Sequence, residues 1–283
     1  MRTESEMMEL ILSTAREDER IRAVWMNGSR VNPNAKRDIM QDYDVVYVVK
    51  EINSFQQEVN WVDRFGERVI MQIPNPSPWQ VENNVVTYLM QFKDVNRIDL
   101  HLVPVEKVTD MMKTAESLTE VLLDKDGVIP KLPPASDRDY YVSRPSVSDF
   151  NHTCNEFWWV MPYVAKGLWR GEVLYAKGIL EGPLRNALMQ MLDWSVAIDY
   201  DFKISTGKFS KELHALLDQT TWNRLLDTFP TAHKNSIWQA LEIMGDLFHD
   251  VAKTCAQRLG FNYNEEEEQS VRQYMKRVKN NEI

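Results

Sequence analysis

Gly28-Ser29-Arg30 followed by Gln41-Asp42-Tyr43-Asp44-Val45-Val46-Tyr47-Val48-Val49 is the stretch that decides how this chain folds. A D-x-D at the head of an apolar run predicts two carboxylates on one face of a strand. Strand side chains alternate with period two, so Asp42 and Asp44 project together while Tyr43 and Val45 point the other way. Two carboxylates held this close repel unless something neutralises them. A divalent cation is the natural neutraliser, and hard oxygen ligands suit Mg2+. Anionic company for that metal is expected at Gly28-Ser29. This small-residue turn follows a predicted strand, Ile21 to Met26, and its backbone N–H groups can hold phosphate oxygens.

Outward from this stretch lies a third acid, in Arg97-Ile98-Asp99-Leu100-His101-Leu102-Val103. Ile98, Leu100 and Leu102 alternate with Asp99, His101 and Val103, so Asp99 is expected on the face that carries Asp42 and Asp44. Three carboxylates from neighbouring strands can hold one or two Mg2+ for an in-line displacement at phosphorus. The third can also take a proton from an attacking hydroxyl. The plainer alternative pairs Asp99 with Arg97 or Arg22. His101 shares the face of Asp99, and a packed structural histidine is the first reading for it.

The rest of the first half mixes α and β. An amphipathic helix is predicted over 4–16, with Met7, Met8, Ile11 and Leu12 on one side. Residues 31–40 read as a loop or short helix, 55–65 as helical, and 68–73, 85–92 and 97–103 as strands. The character changes at the Pro-rich stretch that begins at Ile129. From Ser146 onward nearly everything has helical period. A long helix is expected through Asn155, Glu156, Phe157, Trp158 and Val160, capped by Ser146 or Ser148 and kinked or broken at Pro162. Further helices are expected near 171–198, 210–218, 220–228, 234–258 and 265–279. The acidic run Glu265 to Glu268 reads as a solvated helix N-terminus.

Bulk properties narrow the function. The composition, 43% hydrophobic and 27% charged, is that of a soluble globular protein, and 283 residues suffice for one large or two ordinary domains. A net charge of -9 argues against a long nucleic-acid partner, which needs a basic face. It favours a cationic ligand by steering. With two cysteines, Cys154 and Cys255, and no C-x-x-C, neither a disulfide framework nor a zinc site is expected. Acids flank the apolar stretch near the N-terminus, unlike a signal peptide. No run approaches the roughly 18 apolar residues of a membrane span. A cytoplasmic protein with free thiols is the expectation.

Gly28-Ser29, twelve residues, Asp42-Tyr43-Asp44 and a distant strand Asp99 resemble the signature of the DNA polymerase β-like nucleotidyltransferases. Asn27-Gly28-Ser29-Arg30, Gln41-Asp42-Tyr43-Asp44, Val121-Leu122-Leu123-Asp124-Lys125-Asp126 and Cys154-Asn155-Glu156-Phe157-Trp158 together resemble the aminoglycoside 6-adenylyltransferases, over nearly the whole chain. The resemblance implies an α+β fold. A nucleotidyltransferase-type mixed sheet with flanking helices would occupy residues 1–135, and an all-helical domain contacting substrate and nucleotide would occupy 136–283. It implies AMP transfer from ATP to the 6-hydroxyl of streptomycin, with Mg2+ and release of pyrophosphate. Gly28 and Ser29 would hold the triphosphate, Asp42 and Asp44 the metal, and Asp99 would be third ligand, base or both. Arg30 follows the turn directly, either as a phosphate contact or as a salt-bridge partner of Asp38 or Asp42.

Streptomycin is polycationic, so an acidic site suits it, and planar guanidinium groups pair with carboxylates and stack on aromatic rings. Glu156, among aromatic residues on the long helix, is expected to bind the acceptor or act as an alternate base. Trp158 and Trp159 cannot both face one helix core, and Trp158 is assigned to the acceptor. Glu82 is a further acceptor residue. Lys208, after Ser205-Thr206-Gly207, and Lys166 are expected at the β- and γ-phosphates, with Lys211 behind them. Alternative readings are a nucleotidyltransferase with another small-molecule or protein hydroxyl as acceptor, and a catalytically silent nucleotide-binding module.

Overall fold

The computed structural model describes residues 1–58, 60–74 and 85–282. The chain divides into two compact units, Met1–Asp139 and Tyr140–Ile283. The first contains α1 (Glu4–Glu17), β1 (Ile21–Asn27), β2 (Tyr43–Val49), α2 (Asn53–Gln57), β3 (Arg68–Gln72), β4 (Val86–Phe92), β5 (Arg97–Pro104), α3 (Val108–Lys113) and β6 (Thr119–Asp124). The strands form one sheet in the order β3-β4-β5-β2-β1-β6. β2 and β5 run parallel; the other pairings are antiparallel.

Period-two alternation divides the apolar residues between two sheet faces. Tyr43, Val45 and Tyr47 of β2 and Ile98, Leu100 and Leu102 of β5 join Val24 and Met26 of β1 on one face. There they bury Met7, Ile11 and Ala15 of α1. Thr3 starts α1 with a reciprocal cap to Glu6. The Tyr47 hydroxyl donates to the Ile11 carbonyl at 2.6 Å, which fixes the helix against the strand. The opposite face carries Ala23, Trp25, Val46, Val48 and Val103, packed with Val108 and Met112 of α3. Residues 55–65 are not one helix: α2 ends at Gln57, and a 3-10 turn covers Trp61–Phe65. β6 is an edge strand that hydrophobic patterning does not announce.

The second unit is helical throughout: α4 (Val147–Arg170), α5 (Val173–Ile179), α6 (Arg185–Ala197), α7 (Leu213–Leu216), α8 (Gln219–Asp227), α9 (Lys234–Leu259) and α10 (Glu265–Lys279). Ser146 caps α4 reciprocally with Asp149, and Gly171, in the left-handed region at φ 78°, ends it. The helix runs unbroken through Pro162. A mid-helix proline costs about 3 kcal/mol. The face burying Phe157, Trp158, Met161, Val164 and Leu168 outweighs that, at roughly 1.5–3 kcal/mol per large side chain. The interruption falls later, where a single π turn at Leu180–Leu184 separates α5 from α6 and holds Pro183 and a non-helical Gly182. Phe157 stacks flat on Phe248 of α9 with centroids 3.8 Å apart. Among the described residues no helix is long and apolar enough to cross a membrane.

The acidic start of α10 departs from expectation. Glu268 is 5% exposed, not solvated. It accepts from the Tyr263 hydroxyl at 2.8 Å and Arg272 Nε at 2.7 Å, and lies 2.6 Å from His249 Nδ1. Tyr263 in turn accepts from the Trp158 indole at 2.9 Å. Burial pushes the Glu268 carboxyl up, but hydrogen bonds from His249, Tyr263 and Arg272 more than offset it, leaving it below its ordinary 4.5. Breaking one partner of such a buried set costs about 3 kcal/mol or more. Glu268→Gln is therefore expected to lower stability to urea by that order at pH 7. The contribution is complete above the unfolded value of 4.5 and fades as pH falls through the lower folded value, so variant and wild type should converge in acid. An equal gap at pH 7 and pH 3 would refute the charged role.

Candidate active site

The site begins where β1 ends. Asn27 stands opposite Asp44 in the antiparallel β1–β2 ladder, and Asp44 stands opposite Asp99 in the parallel β2–β5 ladder. One rung of the sheet thus aligns Asn27, Asp44 and Asp99 on the face away from α1. Asp42 precedes β2 on the same side. After Asn27 the chain turns through Gly28–Arg30 as a 3-10 turn. Gly28 adopts φ +78°, and a Cβ there would overlap the Asp44 carboxylate. Glycine is needed for both reasons. Its N–H donates to the Leu118 carbonyl at 3.2 Å, so this amide is spent on the fold and is not offered to a phosphate. The part Gly28 plays is to admit Asp44 against the turn.

Arg30 is likewise committed. It is 5% exposed, with its guanidinium 3.6 Å from the centroid of the Tyr43 ring. Its Nε donates to the Asp42 carbonyl at 3.1 Å and one Nη to the Gln41 carbonyl at 2.7 Å. The other Nη lies 3.3 Å from the Glu4 carboxylate. Neither expected partner, Asp38 or the Asp42 side chain, receives it. Arg30 holds the backbone that presents Asp42, and the phosphate contact read from its position beside the turn does not match these partners.

Arg97 organises the acids. Its Nε and one Nη donate to the two oxygens of Asp99 at 2.8 and 2.7 Å, a bidentate fork. The same Nε lies 3.6 Å from Asp42 Oδ2. The alternative of an Asp99–Arg97 pair is thus realised, while Arg22 pairs with Asp126 and Glu19. Burial pushes the Asp44 carboxyl up to about 6, with further upward push from Asp99 and Asp42. Asp42 also rises: burial leads, Arg97 pulls it down and Asp99 pushes it up. His101, two residues beyond Asp99, shares Thr87 Oγ1 through Nδ1 at 2.9 Å. Burial lowers its pKa, which keeps it neutral at pH 7.

Among the described residues no group of three or more His, Cys, Asp and Glu side chains stands ready to hold a metal ion. The expected three-carboxylate set is not assembled as these side chains lie, because the Arg97 fork occupies both oxygens of Asp99. The donor chemistry nonetheless fits a hard divalent cation. Asp42 and Asp44 share a face, and Asp44, held above its ordinary 3.8 chiefly by burial and then by Asp99 and Asp42, would be stabilised as a carboxylate by a cation there.

The residues expected from the second half belong to the helical unit. Trp158 is 1% exposed, its indole N–H on Tyr263 and its ring among Phe157 and Phe248. It is a core residue, and of the neighbouring pair it is Trp159, 62% exposed, that faces outward. Glu156 shares a half-buried to exposed stripe of α4 with Trp159, Tyr163 and Lys166, which follow it by three, seven and ten residues. Tyr163 packs edge-on to Trp159 and carries the Lys166 ammonium 5.5 Å from its ring centroid. Lys208 is exposed in a turn where Gly207, Phe209 and Ser210 all have positive φ. Ser210 anchors that turn to Asp193 at 3.1 Å. Glu82 lies outside the described residues. Patterning does not single out Asn27, whose part depends on register; Arg97 is legible as a pairing partner of Asp99, and only the structure shows its two-toothed grip.

The family model described as streptomycin adenylyltransferase matches residues 1–278. An aminoglycoside 6-adenylyltransferase of Bacillus subtilis (strain 168) is 36% identical over 271 residues, 95% of this chain and 95% of its own length. One from Campylobacter jejuni is 36% identical, covering 93% of this chain and 91% of its own. One from Staphylococcus aureus is 30% identical over 93% and 94%. A crystal structure of an aminoglycoside 6-adenyltransferase from Bacillus subtilis aligns with 98% of this chain and 99% of its own, at 31% identity and a TM-score of 0.49. With the turn, the D-x-D and the facing Asp99 in place, a family match along nearly the whole chain assigns it: the protein belongs to the streptomycin adenylyltransferase family.

Proposed function

We propose that this protein transfers AMP from Mg-ATP to the 6-hydroxyl of streptomycin and releases pyrophosphate. The observation that carries the reading is the single rung on which Asp44 and Asp99 face each other beside the Gly28 turn. Ser29 at the head of the turn meets the triphosphate. Asp42 and Asp44 are the residues that would hold Mg2+, which supplies neutralising charge at the transferring phosphoryl group. Asp99 accepts the proton of the attacking hydroxyl. The hydroxyl oxygen forms the new bond to the α-phosphorus as the bond to the pyrophosphate oxygen breaks. Arg97 orients Asp99 through its fork. In the helical unit, Glu156 with Trp159 suits a guanidinium group of the acceptor, and Lys166 and Lys208 suit phosphate oxygens. Use of ATP, and two buried thiols with pKa pushed up to about 12 by burial, fit the cytoplasm.

The test is pyrophosphate release from Mg-ATP with and without streptomycin, with Asp44→Asn as the blank. Streptomycin-dependent release that the variant lacks is the expected result. Release only with a different hydroxyl acceptor would keep the reaction class and discard streptomycin. ATP binding without release for any acceptor would reject the enzyme reading.

A further inference from the structure

Directly beside the carboxylate rung, on the same face of the sheet, lies a cavity of about 510 Å³. Its floor follows from register. One rung along from Asn27, Asp44 and Asp99, the sheet places Trp25, Val46 and His101 side by side. That step is two residues, about 7 Å at the rise of a strand. The wall is the last turn of α3 and the segment after it, from Met111 to Glu116. The cavity is therefore apolar at its base and reaches Asn27, a member of the carboxylate rung, at one end. Its size falls within the range of small-molecule sites.

Its charge selects a ligand class. Glu116 is exposed at the rim of the cavity. Asp110 also lines the space, already paired with Lys113 at 2.8 Å. Lys107 is the lysine on the lining. Glu116 at the rim and the floor of Trp25 and Val46 suit a planar cation that can lie on an apolar surface and donate to a carboxylate.

We propose that this pocket receives a guanidinium-bearing ring of the acceptor, with Glu116 as counter-charge and Trp25, Val46 and Met111 as its apolar surround. The inference rests on the adenylyl-transfer reading above and deepens it. A ring seated one rung from Asp44 and Asp99 brings a hydroxyl on that ring, or on its neighbour, over the carboxylates. The pocket then sets which hydroxyl is presented, as well as how tightly the acceptor binds.

The experiment is steady-state pyrophosphate release by the full-length protein, varying streptomycin and ATP separately, for wild type, Glu116→Gln, Glu116→Asp and Met111→Trp. Loss of one charge-assisted hydrogen bond is worth on the order of tenfold or more in affinity. Glu116→Gln is expected to raise the KM for streptomycin about tenfold, and Glu116→Asp to restore part of it. Met111→Trp, which fills the cavity, is expected to raise the same KM. The KM for ATP should stay within about twofold in all three. If ATP KM rises instead, the pocket belongs to the nucleotide and the proposal is wrong. An unchanged streptomycin KM in both Glu116→Gln and Met111→Trp overturns it too, with wild-type turnover intact. Absence of streptomycin-dependent release in the wild type is a separate outcome and removes the adenylyl-transfer reading along with the pocket's role.

Discussion

Asp44→Asn should cost turnover on the order of 10³-fold and yet raise the melting temperature measured without added metal. The first effect follows from removing a carboxylate at the site of phosphoryl transfer, where charge stabilisation is worth several kcal/mol and each 1.36 kcal/mol is tenfold in rate. The second follows from the position of Asp44 on the rung. Its carboxyl sits at about 6 against an ordinary 3.8, chiefly through burial and then through Asp99 and Asp42. Ionising it at neutral pH costs the folded state roughly 3 kcal/mol. The sign is opposite to that of Glu268. Below pH 3.8 both states carry the proton and there is no cost; above about 6 the cost is complete. The stability advantage of the variant should therefore be absent near pH 3 and full at pH 7.5, several degrees in melting temperature. Near-normal turnover would remove Asp44 from the metal site. A variant less stable than wild type at every pH would mean the carboxylate is satisfied by contacts that the charge argument omits.

Gly28→Ala should be the most damaging single methyl in the first unit. The new Cβ overlaps the Asp44 carboxylate, and φ +78° is a region that L residues enter at roughly 1–2 kcal/mol. The carboxylate must move, and a displacement of about 1 Å at a reacting centre can cost 10²-fold. A fall in kcat of that order is expected, with stability lowered by roughly 2–3 kcal/mol in urea. A double-mutant cycle separates the causes. In an Asp44→Ala background there is no carboxylate to strike, so the stability cost of Gly28→Ala should shrink to the backbone share. An equal cost in both backgrounds would show that the turn, not the close approach, requires glycine.

The strands that carry chemistry were legible in the sequence because they alternate. Asp42 and Asp44 head an apolar run, and Asp99 interrupts another at the right parity, so period alone puts them on one face. What period cannot supply is neighbourhood. That β2 pairs with β5, and in which register, is a tertiary fact, and the cavity floored by Trp25, Val46 and His101 exists only through it. β6 escaped because an edge strand needs only a short, half-buried run. Pro162 misled because packing on both sides outweighed one lost hydrogen bond. Trp158 and Trp159 are adjacent, and composition gives no phase; the phase of α4 is set by its whole apolar face. Arg30 and Glu268 show the same limit for charge. Both look like surface groups in sequence, and both are buried where several partners converge, among them groups outside the residue's own element.

Arg97 and Asp99 lie two residues apart on β5, while Asp42 and Asp44 lie just before and on β2, and the long segment between these strands includes the β3–β4 hairpin. Closing that loop is the slow kind of step in folding, since its entropy is lost before the parallel pairing returns anything. At that moment β2 brings two negative charges. Because its arginine and aspartate can pair locally beforehand, β5 arrives as an electrically balanced strand and not as a third anion. The repulsion that would otherwise oppose docking is removed from the encounter and retained only in the finished rung, where the chemistry uses it.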